Sequence, residues 1–300
     1  MNSTERFVMK HEQVKYNRRQ FLKTAGGVVV STAFAAAGHA SAVEDTIPPE
    51  GPGDLDLYDF VMPRVKYAHE SKEIDRWNVR PGGDANLLRE LVSVIRCRVK
   101  PIRGAYDWQP QWAMEGQLNA VVSFDEPEKL KKYPFLFMTG ENQYKFDSRQ
   151  KNNLKEYITR GGFLLMDDCV VGSGGDFFYQ SSFMLLEQVF GNGAVRRIPL
   201  EHEIFHNVYD LGDKGLPYME RQNRVLLPGM RQPRQVGLPY MHGQNHGARG
   251  VFIGDRLAVF LSSTDIHCGW CDSHGFEFGR KSYEKAIQMG VNIIMYAISH

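Results

Sequence analysis

Apolar positions along the chain fall into short continuous runs separated by helical stripes. Phe135, Leu136, Phe137 and Met138, ending at Gly140, read as a strand buried on both faces. Asp147 then opens a helix running to Arg160, with Leu154, Tyr157 and Ile158 inward and Gly161-Gly162 closing it. Phe163, Leu164, Leu165 and Met166 follow as a second buried strand, completing a βαβ unit of the kind that builds parallel sheets. Upstream, 60–67 reads as a first strand interrupted at Pro63. Residues 84–95 read as a helix capped by Asp84, with Leu87, Leu88, Leu91, Val94 and Ile95 as its stripe. Downstream, 181–190 predicts a helix stopped by Gly191, and 194–198 a short strand. A hairpin is expected across 250–261, turning at Gly254-Asp255, and a last helix over 283–299. The expected fold class is α/β: an open, mainly parallel sheet with helices on both faces.

The segment before these elements has a different pattern. Arg18 and Arg19, followed by Phe21, Leu22 and Lys23, form a twin-arginine export pattern. A short Gly/Ala/Val-rich stretch follows and ends at Ala40-Ser41-Ala42, a small-x-small cleavage site. The expected organisation is a twin-arginine (Tat) signal over 1–42, a Pro/Gly-rich linker over 43–57 and one α/β domain over 58–300. The expected location is the periplasm, with the signal cleaved near Ala42. The translocation machinery is the partner during export. No later run is long and apolar enough for a membrane span, so the cleaved chain is not expected to be an integral membrane protein.

Charge follows from that division. The whole chain has 36 Lys and Arg against 35 Asp and Glu, a net of +1. The signal carries Arg6, Lys10, Lys15, Arg18, Arg19 and Lys23 against Glu5 and Glu12. The remainder is mildly acidic, which argues against nucleic acid as a partner. With 42% hydrophobic and 24% charged residues, the chain is neither disordered nor a small disulfide scaffold.

Three stretches carry candidate chemistry. Asp167, Asp168 and Cys169 leave a buried strand for a glycine-rich loop, where they could bind a cation or arm a thiolate. They are the candidate catalytic residues. His202-Glu203-Ile204-Phe205-His206 matches the zincin letters, but it lacks the long amphipathic helix that motif needs and reads better as a loop packing Ile204 and Phe205. The densest cluster is Asp265, His267, Cys268, Cys271 and His274, directly after a strand. It allows a transition-metal site such as zinc, a disulfide, or a redox Cys-x-x-Cys pair. A c-type haem needs histidine at 272, which is Asp272.

Four motifs, in order, carry a family resemblance: Phe135-Leu136-Phe137-Met138-Thr139-Gly140; Gly161-Gly162-Phe163-Leu164-Leu165-Met166-Asp167-Asp168-Cys169; His202-Glu203-Ile204-Phe205-His206-Asn207-Val208-Tyr209-Asp210; and Gly290-Val291-Asn292-Ile293-Ile294-Met295-Tyr296-Ala297. Together they resemble the bacterial DUF4159 family, from about Asp59 to the C-terminus. That resemblance implies a class I glutamine-amidotransferase-like (flavodoxin-like) fold and no established catalytic residues. Such enzymes place their cysteine on a turn flanked by small residues, whereas Cys169 is flanked by Asp168 and Val170. The leading expectation is therefore a non-catalytic binding module for a small polar ligand or partner protein. The alternatives are a metal-assisted or cysteine hydrolase at the strand ends, and a thiol redox protein using Cys268 and Cys271. Everything rests on the loops after 166 and 261 meeting at one rim.

Overall fold

The computed structural model describes residues 57–68, 77–102, 118–169, 176–211, 224–225, 234–235, 246–271 and 279–300. The expected signal and the expected linker up to residue 56 lie outside them. Seven strands form one sheet in the order β2-β1-β3-β4-β9-β8-β5. They are β1 (Pro63–Val65), β2 (Ala120–Val122), β3 (Phe135–Gly140), β4 (Phe163–Asp168), β5 (Val195–Arg197), β8 (Arg249–Ile253) and β9 (Arg256–Ser262). Two-residue strands β6 (Arg224–Val225) and β7 (Arg234–Gln235) pair separately. β2, β1, β3, β4 and β9 run parallel; β8 is antiparallel to both β9 and β5. The order β2-β1-β3-β4-β9 is the flavodoxin-like one, with its switch point between β1 and β3. The α/β expectation holds.

The helices are α1 (Pro81–Val94), α2 (Pro127–Leu130), α3 (Ser148–Thr159), α4 (Phe177–Phe190), α5 (Ile266–Cys271) and α6 (Arg280–Ser299). Strand residues alternate between two cores, as a period of two demands. Phe135, Phe137, Phe163 and Leu165 join Leu87, Leu91, Trp270 and Ile294 on one face. Leu136, Met138, Leu164 and Met166 join Leu154, Ile158, Phe178 and Leu186 on the other. α3 starts as its capping box requires: Asp147 accepts from the Gln150 amide while the Gln150 side chain accepts from the Asp147 amide. No helix among the described residues is long and apolar enough to cross a membrane.

The first strand is shorter than the expected 60–67, the last helix starts at Arg280 and not at 283, and two further helix starts differ for physical reasons. α4 begins at Phe177, a turn earlier than 181, because Phe178 and Tyr179 are buried against the sheet. α1 begins at Pro81, and Asp84 is not its cap. Pro81 suits the first turn of a helix, and the Asp84 carboxylate is used in the core instead.

The β8–β9 hairpin depends on close backbone approach. A methyl group at Gly250 would run into the Val259 carbonyl oxygen and the Leu257 side chain. Gly250→Ala should therefore destabilise the fold by about 1–3 kcal/mol, the usual range for overpacking. Urea unfolding would measure this, and an unchanged midpoint would show that the hairpin can shift at little cost.

Candidate functional site

The carboxyl ends of β3, β4 and β9 lie side by side, with Gly140 opposite Asp168 and Asp167 opposite Ser262. The residues that open the loop after 166, 167–169, meet the segment after 261. α5 starts within four residues of the end of β9, and its first amides reach back to β4. Asp167 accepts from His267 N at 2.9 Å and Ile266 N at 3.3 Å. The pleat sends the adjacent Asp168 to the opposite face, where it accepts from Tyr179 N in the first turn of α4 at 2.7 Å. The paired carboxylates thus brace two helices from two faces of the sheet and do not converge on one ion. One Asp168 oxygen, Oδ1, is buried without a hydrogen-bond partner among the described residues.

Cys169 follows the same alternation back toward α5. Its Sγ lies 3.3 Å from Cys268 Sγ and 3.9 Å from Glu141 Oε1. Cys169, Asp265 and Cys268 present donor atoms that all lie within 4.8 Å of one another, and all three residues are buried. Asp265 also accepts from Cys268 N at 3.3 Å. It has φ 56, and Arg80 has φ 47; these are the two positive-φ non-glycine residues among the described ones. Such backbone is sparsely populated and persists only where its surroundings enforce it. Asp265 sits inside the cluster, and Arg80 is close enough for its charge to act on Cys268 and His267.

The other members of the C-terminal motif go elsewhere. Cys268 and Cys271 share α5, but the Cys271 thiol donates to the carbonyl of His267 at 3.3 Å. That sulfur is also 2.7 Å from where a Gly83 Cβ would stand, so α1 and α5 approach this closely only over glycine. His267 is engaged by Arg64 and Asp84. Its Nε2 lies 2.8 Å from Arg64 Nη2 and 3.1 Å from Asp84 Oδ1. A cation placed at that nitrogen would meet the Arg64 guanidinium. His274 lies outside the described residues.

Arg64 is the site residue that the sequence reading missed. It is fully buried on β1, grips Asp84 through Nε (2.9 Å) and Nη2 (2.6 Å), and donates to the carbonyls of Trp77 and Val79. Its guanidinium stands 4.5 Å over the Phe137 ring. A signal did exist: an arginine inside an apolar strand, with an acidic residue in a glycine-rich turn twenty positions later. Asp84 is pushed up by burial, yet Arg64 and His267 hold it below the ordinary carboxylate range. His267 is lowered to about 4 by burial and then by Arg64, so its ring is neutral at pH 7.

The remaining groups shift the other way. Asp167 is raised to about 8 by burial and then by Asp265. Burial also lifts Asp168 well above the carboxylate range. The Cys169 thiol is pushed up well above 9, first by its contact with Cys268 and then by burial. Cys268 is raised to about 11 despite the contact with Cys169, which favours its thiolate; burial is the main opposing cause. A thiol held this high is a poor nucleophile at neutral pH.

The zincin letters fold as an isolated turn. His202 accepts from Ile204 N, His206 is bonded to Asp210 and the Leu200 carbonyl, and Ile204 and Phe205 fill the core. Farther along the sheet's rim, His246 Nε2 meets Asp176 Oδ2 at 2.5 Å and stacks on Tyr179 at 4.3 Å.

A family model described as "Domain of unknown function (DUF4159)" matches residues 61–298. No curated protein gave a match.

Proposed function

This chain belongs to the DUF4159 family, and from that premise we propose that it is an exported periplasmic binding module. Its ligand is small and cationic, and it docks where β3, β4 and β9 end. The supporting observation is a concentration of acid at this edge of the sheet. Glu141 and Asp265 are nearly or fully buried there, beside the Cys169 and Cys268 thiols. The Arg64 guanidinium is already committed to Asp84. Buried carboxylates are tolerated when a cation or a full set of donors meets them. The finer fold assignment belongs to the same proposal: a class I glutamine-amidotransferase-like sheet without that class's nucleophile, since Cys169 lacks small neighbours and its thiol is raised. The twin-arginine pattern supports export of an already folded protein.

The test is ligand-induced thermal stabilisation with matched panels of cationic, neutral and anionic small molecules. Divalent metals, organic amines, neutral polyols and dicarboxylates would serve. A cation at a hundred times its Kd should add about 2.7 kcal/mol to stability. Glu141→Gln should weaken the effect without lowering the intrinsic melting temperature by as much. Stabilisation by anions as strongly as by cations, or by none of the compounds, would overturn the proposal.

A further inference from the structure

We infer that Cys169, Asp265 and Cys268 form a binding site for a zinc-class divalent cation. This inference rests on the cation-binding proposal above and names its chemistry. Two sulfurs and a carboxylate within 4.8 Å of one another are a donor set for zinc. The thiols select against magnesium and calcium, which take oxygen.

The sulfur separation discriminates between the two fates of such a pair. A tetrahedral zinc with bonds near 2.3 Å would hold two sulfurs about 3.8 Å apart. A disulfide would hold them at about 2.05 Å. The observed 3.3 Å is roughly half an ångström from the first and well over one from the second. The third donor points the same way. Asp265 is fully buried and faces both thiols. A metal would neutralise all three groups.

The donors come from two elements brought together by the parallel pairing of β4 with β9. Cys169 directly follows β4, and Asp265 and Cys268 flank the start of α5. The Cys-x-x-Cys spacing is therefore incidental: Cys271 lies one turn on, against Gly83. Among the described residues the site supplies three donors to the cation. Glu141 Oε1 lies 3.9 Å from Cys169 Sγ. Binding releases the thiol protons to solvent, with no change of oxidation state.

The experiment uses the full chain, purified without chelator from cells supplied with zinc. Elemental analysis should show stoichiometric zinc. The demetallated, reduced chain titrated with Co²⁺ should develop thiolate-to-cobalt charge-transfer absorption and tetrahedral d–d bands. Cys169→Ser and Cys268→Ser should each weaken binding by at least about a hundredfold, beyond what loss of a supporting partner costs. Cys271→Ser should keep the wild-type spectrum. Circular dichroism shows whether each variant folds, and the cobalt titration of the wild type needs no variant. Absence of cobalt–thiolate bands in the reduced wild type would overturn the site. So would loss of them in Cys271→Ser, or a Cys169–Cys268 disulfide mapped in natively produced chain. If these fail while organic amines still stabilise the protein, the binding module survives and only the metal falls.

Discussion

Asp84→Asn should remove about 3–5 kcal/mol of stability, the usual loss when one partner of a buried ion pair is deleted. For a domain of this size that is a fall in melting temperature of roughly 10 °C or more. The size follows from what is left behind. Arg64 is fully buried, and its only anionic partner among the described residues is Asp84. The asparagine would leave a guanidinium facing Phe137, two carbonyls and a neutral imidazole. The pH dependence has a definite sign. The Asp84 carboxyl is held below its unfolded value, so its contribution is complete above about pH 4. It is lost as pH falls through the depressed folded value. The gap between wild type and variant should therefore be constant from pH 5 to 8 and close only in stronger acid. Replacing both Arg64 and Asp84 by apolar residues of similar size should recover part of the loss, because no charge is then stranded. Urea unfolding of both singles and the double decides the matter. A single-variant loss below about 1 kcal/mol would mean that the pair contributes no more than a surface salt bridge.

The elements that were legible in the sequence are those whose signal is local. β3 and β4 announce themselves because a strand covered on both faces has no polar positions to interrupt it. α3 is bounded by a capping box at one end and Gly161 at the other, both within a few residues of the helix. The β8–β9 hairpin turns where Gly254-Asp255 falls. The start of α1 was misplaced because Asp84 has the letter of a cap and the job of a counter-ion. Local capping and a contact with Arg64, twenty residues away, cannot be told apart by one letter.

The candidate site was half legible for the same reason. Asp265, Cys268, Asp167, Asp168 and Cys169 could be picked out because strand ends in open α/β sheets gather ligands. Which of them meet is decided by register. Asp167 and Asp168 are adjacent in sequence and separated by the sheet. Cys169 and Cys268 are ninety-nine positions apart and in contact. Cys268 and Cys271 carry a familiar spacing, but a helix that aims one sulfur at β4 aims the other at α1. His267 offered a ligand by type and was claimed by Arg64 and Asp84, neither of which the motif contains.

Trp270→Ala should cost about 3–5 kcal/mol, and most of the structural consequence should fall on α5. Trp270 is fully buried. Its indole packs against Phe137 and His267 at 5.3 and 5.4 Å and lies 3.0 Å from where a Gly290 Cβ would stand. Its Nε1 donates to the Ala286 carbonyl at 2.8 Å, and its own carbonyl accepts from Asn86 at 2.9 Å. One residue thus ties α5 to β3, α1 and α6. α5 has six residues, far too few to hold helical form on its own, so tertiary packing must hold it. Trp270→Phe should be milder, about 1–3 kcal/mol, for the lost indole hydrogen bond to the Ala286 carbonyl and the lost second ring. The position of α5 sets where Asp265 and Cys268 stand relative to Cys169. Hydrogen exchange should therefore show α5 amides opening faster in Trp270→Ala than those of α3, which packs on the other face of the sheet. A thiol reagent should reach Cys268 in the alanine variant and not in the wild type. Uniform acceleration across α3 and α5 would mean that the indole supports global stability alone, with no special hold on the cysteine it positions.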